Sequence, residues 1–409
     1  MEHILVAKNT VFQVLARGAT AFVGFLVTII VAKTFGVAGY GDFIKVTSFV
    51  AMFYLVVDFG LNAFFLQEEK ANFKNLFYLR ILLSACVFIA INIISYFLPF
   101  NGALNTGFSN SVKIGILFFS LTVFFQGAIY SASAIFQKNL NYYPYMLGVV
   151  IGSAVNLAAV FLFAFLNFSI FYIFLAFLIS NFVSAFLLVF FTKEKIFPVL
   201  LDKVFSKKLL TRSIPLSLML VFNLIYFRVD IFLLALLKGT TDVGVYGLSY
   251  KFFDFLIALP LFMSNAIYPI LIKQKQNKEL FFKNVGRYFL LFIIISVIVI
   301  IPFWFVSPLF KLISAGFYDS IVPFRILLLS LPFFFTTSFL QWVLITLQKQ
   351  KYLMYVYVFS AFVNIVLNIL FIPRFSYIAS STITVFSEAL VFLFLSYKIL
   401  TVKKISETE

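Results

Sequence analysis

The chain has 409 residues, of which 63% are hydrophobic and only 11% charged, with a mean hydropathy of +1.09. A soluble domain carries roughly 25% charged residues, so this composition excludes a water-covered globule and points to an all-α, polytopic integral membrane protein. Net charge is +16, from 31 Lys and Arg against 15 Asp and Glu. In so apolar a chain that excess belongs to loops beside anionic lipid and not to a nucleic-acid partner. The single cysteine, Cys86, rules out an internal disulfide, and the single histidine, His3, offers no metal or catalytic cluster.

A spanning helix needs roughly 20 mostly apolar residues, and about twelve segments meet that length. They lie near 11–33, 43–67, 76–99, 112–137, 143–166, 169–191, 213–237, 244–272, 282–306, 320–347, 352–372 and 376–400. The first carries Arg17 and lacks a small-residue exit, so it reads as a retained helix and not a cleaved signal. Between the first two, Gly36-Val37-Ala38-Gly39-Tyr40-Gly41 predicts an outer-face hairpin turn, followed by Lys45. A shorter echo, Gly244 to Lys251, repeats the pattern Tyr-Gly-x-x-x-Lys. The echo suggests two related halves.

After the third segment, Asn101-Gly102 and Asn105-Thr106-Gly107 predict turns. Halfway along, 193–212 alternates Lys193, Lys195, Lys203, Lys207, Lys208 and Arg212 with Ile196, Phe197, Val204 and Phe205, which predicts a basic amphipathic linker on the membrane surface. The expected organisation is an N-terminal six-helix lobe (1–192), this linker (193–212) and a C-terminal six-helix lobe (213–409). Pro215, Pro260, Pro269, Pro302 and Pro332 fall in or at the ends of apolar runs and predict kinks. Loops on the side of the N-terminus hold most of the cations, counting Arg80 as one of them, which places both termini in the cytoplasm.

Three cations, Arg17, Arg228 and Lys251, and four acids, Asp58, Asp230, Asp254 and Glu388, fall inside apolar runs. A charge at mid-bilayer costs at least roughly 2.5–3.5 kcal/mol, so such groups face a bundle interior or a watery cavity. They then either line a transport path or pair to hold helices together. Antiparallel packing of the first two helices brings Asp58 to a depth similar to that of Arg17. Lys251 and Asp254 share a helix face, whereas Arg228 and Asp230 do not. Lys45 and Lys251 fall near the outer surface. Glu388, near the middle of the last segment, is a protonatable coupling site or a polar helix contact. Asn62, Gln126, Asn181, Gln341, Asn364 and Asn368 predict bonds between helices. There is no P-loop, no metal-spaced His/Cys set and no G-x-S-x-G. Energy must therefore come from an ion gradient or from the substrate's own gradient.

An Arg in the first helix, the turn Phe35-Gly36 to Tyr40-Gly41, and Asp58-Phe59-Gly60-Leu61 late in the second together resemble the polysaccharide repeat-unit flippases. These are the Wzx-like O-antigen and capsule transporters of the multidrug/oligosaccharidyl-lipid/polysaccharide exporter superfamily. The resemblance implies a V-shaped, MATE-like bundle of two six-helix lobes in the bacterial cytoplasmic (inner) membrane. It implies a flippase, with no enzymatic activity and no cofactor, that moves undecaprenyl-diphosphate-linked oligosaccharide by alternating access, coupled to an ion gradient. A cationic lumen of Arg17, Arg228, Lys251 and Lys45 would hold the diphosphate and glycan, with Asp58, Asp230, Asp254 and Glu388 as coupling or ion-pair groups. Membrane lipid, a polysaccharide polymerase and its chain-length machinery are the implied partners. A multidrug cation exporter of the same superfamily and a lipid II flippase are the competing readings.

Overall fold

The computed structural model describes the backbone of residues 2–68, 72–197 and 202–408, without the side chains of 2–8, 10, 215–216, 219, 222–224 and 405–408. Lys70 and the Pro215 side chain, to which the sequence assigns a loop charge and a kink, lie outside the described residues. The helices are α1 (Glu2–Asp58), α2 (Leu61–Phe65), α3 (Phe73–Phe97), α4 (Asn110–Ser120), α5 (Thr122–Lys138), α6 (Tyr143–Phe165) and α7 (Ile170–Thr192). They continue as α8 (Lys203–Leu237), α9 (Thr240–Gln274), α10 (Lys278–Val306), α11 (Ile321–Leu328), α12 (Leu331–Thr346) and α13 (Gln350–Thr408). Every expected apolar segment falls on these helices, with 43–67, 112–137 and 320–347 each divided between two of them.

Among the described residues, eight helices are long and apolar enough to cross a membrane, or nine if the bent pair α11–α12 forms one span. Two of these are double. At 1.5 Å per residue α1 would run about 86 Å unbroken, nearly three times the roughly 30 Å of a hydrocarbon core. It breaks at Gly36 (φ 65, ψ −171), backbone that essentially glycine alone adopts. The turn is thus tighter than the six-residue hairpin expected from its glycines: Val37 onward is already helical. α13 breaks likewise at Ser376 (φ 51, ψ −135), three residues after Pro373. Pro332 sits in the first turn of α12, where α11 and α12 meet at 43°. Pro260, Pro269 and Pro302 lie inside α9 and α10.

The exterior is apolar. On α10, Ile294, Ile298, Ile301 and Phe305 are 47%, 60%, 53% and 76% exposed, a stripe at helical spacing that suits lipid. Polar side chains turn inward and bond between helices: Gln126 to Asn181 at 2.7 Å, Tyr54 to Thr122 at 2.6 Å, and Asn364 to Ser387 at 3.1 Å.

The chain divides into two compact units, 1–224 and 225–409. In the first, α6 packs on α1 and α7, and α5 on α3 and α7. The Asn101 turn forms a two-stranded hairpin, β1 (Phe100–Asn101) against β2 (Thr106–Gly107), with the Asn101 side chain accepting from the amides of Ala103 and Leu104. In the second unit α12 packs against α9, α10 and α13.

Residues 193–197 are an irregular strap, and from Lys203 the chain is already α8, capped by Asp202, whose carboxylate accepts from the amides of Val204 and Phe205. The start of α8 packs within the first unit. Leu209 is buried with Leu61, Phe65 and Phe73, and Glu68 pairs with Lys208 at 2.8 Å and Arg212 at 2.9 Å.

Candidate functional site

The second unit gathers most of the intramembrane charge. Arg228, on α8, donates to Asp254 of α9 at 2.9 Å, and its guanidinium lies 5.2 Å from the ring centre of Tyr250. An arginine fork suits such a pair, since one edge meets a carboxylate while the plane rests on an aromatic face. The pair is only partly withdrawn from the surface: the side chains are 36% and 21% exposed. Lys251, one helical turn before Asp254, sits beside both Asp254 and Arg228. Three of the expected charges are therefore one group, and Asp230 is close enough to act on Arg228 and Asp254 as well.

The Asp230 carboxylate, two residues beyond Arg228, takes other hydrogen-bond partners. It is 3% exposed and accepts from the Tyr246 hydroxyl and the Ile231 amide. Glu388, 2% exposed, accepts from the hydroxyls of Tyr226 at 2.8 Å and Thr337. That set ties α8, α12 and α13 together.

In the first unit the charges fall out differently. Asp58 pairs at 3.1 Å with Arg80, not with Arg17. Arg80, counted from the sequence as a loop cation, is fully buried; its Nη2 also donates to the Asp58 carbonyl at 3.2 Å. The bond holds the chain where α1 ends, at the left-handed pair Phe59 (φ 50) and Gly60 (φ 63). Arg17 is exposed on α1, beside Tyr142 and Tyr145. Lys45 is 2% exposed and donates to the Gly107 carbonyl at 2.7 Å, so its ammonium serves the β-hairpin. The Tyr-Gly-x-x-x-Lys echo is thus asymmetric. Tyr40, just after the Gly36 break, and Tyr246, in the second turn of α9, are both fully buried, but Lys251 keeps the partly open position that Lys45 lacks.

Residues 6–275 match the family described as polysaccharide biosynthesis protein, and residues 215–370 match MatE. No curated relative matches in sequence. Solved structures share the fold. Lipid II flippase MurJ in an inward closed conformation is 16% identical, with a TM-score of 0.77 over 95% of this chain and 87% of that one. An inward-facing multidrug resistance MATE family transporter of the MOP superfamily is 14% identical, with a TM-score of 0.76 over 94% and 96%. A MOP superfamily transporter from Pyrococcus furiosus, described as having a binding pocket of reverse polarity, is 14% identical at 0.64 over 98% and 96%.

Proposed function

The chain belongs to the polysaccharide biosynthesis protein family of the MOP exporter superfamily, and from that premise we propose that it flips undecaprenyl-diphosphate-linked oligosaccharide repeat units across the bacterial inner membrane by alternating access. The observation that carries this reading is the Arg228–Lys251–Asp254 group: two cations beside Asp254, partly exposed, in apolar helices, with Asp230 buried nearby. A diphosphate and a desolvated guanidinium satisfy each other through paired N–H···O bonds. With no substrate, Asp254 keeps Arg228 from standing unpaired; on binding, the phosphate oxygens take that edge of the fork and Lys251 adds a second charge. Arg17, exposed in the first unit, is proposed as a further contact for the anionic head. Lys45 contributes through the hairpin that it anchors, and Asp58, Asp230 and Glu388 hold helices together.

Removal of the gene tests the reading. Surface polysaccharide should disappear while lipid-linked repeat units accumulate inside the cell. Complementation with Arg228→Ala should restore less than about a tenth of the wild-type polysaccharide, whereas Arg228→Lys keeps the charge and restores a larger share. Normal polysaccharide in the deletion strain would sink the proposal. Loss of dye efflux, or arrest of lipid II delivery, with polysaccharide intact would favour the MATE or lipid II reading.

A further inference from the structure

The first unit carries an amphipathic pair of cavities. Its apolar part is a groove of about 790 Å³ walled by α5, α6 and α7, within the roughly 300–1,000 Å³ of small-ligand sites. Phe182, Phe186 and Phe190 recur every four residues along α7 and stack in sequence, with ring centres 6.2 and 6.4 Å apart. Phe125 meets Phe182 edge-on at 5.6 Å from the opposite wall. This ladder ends at the strap, where Lys193 turns the chain with φ 57 and Glu194 follows.

The strap is a fixed roof. The Glu194 amide donates to the Thr192 hydroxyl at 3.2 Å, Tyr78 donates to the Ile196 carbonyl at 3.3 Å, and Lys74 donates to the Phe197 carbonyl at 2.9 Å. On the other side of Glu194 lies a second, mainly polar pocket of about 530 Å³, lined by Asn72, Lys138 and Asn139 among others. Lys138 lies 5.6 Å from the Phe65 ring centre. Glu194 lines both cavities. An aromatic groove and a pocket with a lysine and two amides therefore share one carboxylate in their walls.

We propose that this paired cavity binds a membrane phospholipid whose head carries both a phosphate and a primary ammonium, as in phosphatidylethanolamine. An acyl chain lies along the phenylalanine ladder. The phosphate meets Lys193 or Lys138, and the ammonium donates to Glu194. The carboxylate selects this head: a purely anionic lipid gains the lysines but is repelled by Glu194, and a trimethylated ammonium has no N–H to donate. Neither Glu194 nor the ladder belongs to the Arg228 group, so the site stands whether or not the flippase reading does.

Native mass spectrometry of the purified full-length chain tests it, with equal amounts of phosphatidylethanolamine, phosphatidylglycerol and phosphatidylcholine. We expect phosphatidylethanolamine to be retained about ten-fold over the others, the scale of one charge-assisted bond. Glu194→Gln should abolish that preference, Glu194→Asp should keep it, and Phe186→Ala should lower retention of all three lipids. Glu194 and Phe186 are exposed, so an unchanged thermal midpoint checks that these variants fold. Equal retention of the three lipids, a preference for phosphatidylglycerol, or a preference that survives Glu194→Gln would overturn the proposal.

Discussion

Arg80 has two guanidinium nitrogens, Nε and Nη1, with no hydrogen-bond partner, although the residue is fully buried. Its retention therefore rests on Asp58, since an isolated buried charge is far costlier than a paired one. Arg80→Ala strands the Asp58 carboxylate and frees the carbonyl at the end of α1. Loss of one partner of a buried pair costs about 3–5 kcal/mol, and we expect the low end because the Asp58 side chain stays 25% exposed. The double variant Arg80→Met/Asp58→Leu removes both charges and should regain most of that loss. Thermal unfolding of the three proteins in one detergent decides between these outcomes; a double variant no better than the single would mean that the pair is not what Arg80 contributes. The pairing had a legible signal: Asp58 precedes the 66–72 connection by as many residues as Arg80 follows it, so antiparallel helices set them level. It was masked because a basic residue near a helix start reads as a loop cation. By contrast, the partners of Glu388, Tyr226 and Thr337, lie 162 and 51 residues away, a contact that only tertiary packing creates.

At the scale of elements, the spans are legible because runs of about 20 apolar residues have one stable home, whereas their joints are not, since a single residue can reverse a helix. Gly36 and Ser376 make the same kind of break with different residues, and this fixes opposite expectations. Gly36→Ala forces a Cβ into a backbone region that only glycine adopts readily, at a cost of about 1–3 kcal/mol. Ser376→Gly relieves a comparable strain and should raise the thermal midpoint. Equal and small effects of both would show that the breaks are not strained. The grip of Glu68 on α8 is an electrostatic joint and responds to pH. A hydrogen bond from Lys208, with the charges of Lys208 and Arg212, holds the Glu68 carboxyl below its usual range. A depressed carboxylate stabilises the fold above its unfolded value of about 4.3, and that contribution fades as pH falls below it through the folded value. Salt should weaken the joint at neutral pH. Hydrogen exchange over 203–212 reads it: Glu68→Gln should speed exchange at pH 7 and remove its dependence on salt.

At the scale of the whole chain, the two units and the charge bias of the loops bear on orientation together. The hairpin at 100–107 contains no charged residue, while 193–212 holds six Lys and Arg against two acids. By the positive-inside rule the second is expected on the cytoplasmic face, beside anionic lipid. The strap touches α3 near its start, through Lys74 and Tyr78, and the hairpin follows the far end of the same helix. At 25 residues α3 is about 37 Å long, enough to separate the two sites by a membrane. The strap and the hairpin should therefore lie on opposite faces whichever way the chain inserts, and the charges choose between the two insertions. Cys86 is the only cysteine in the sequence, so a Cys86→Ala background makes the experiment clean. With a membrane-impermeant maleimide applied to intact spheroplasts, Asn105→Cys should label and Lys195→Cys should label only after the membrane is opened. The reverse pattern would invert the chain and place the Glu194 cavity in the outer leaflet. Labelling of both from one side would be incompatible with α3 as a span.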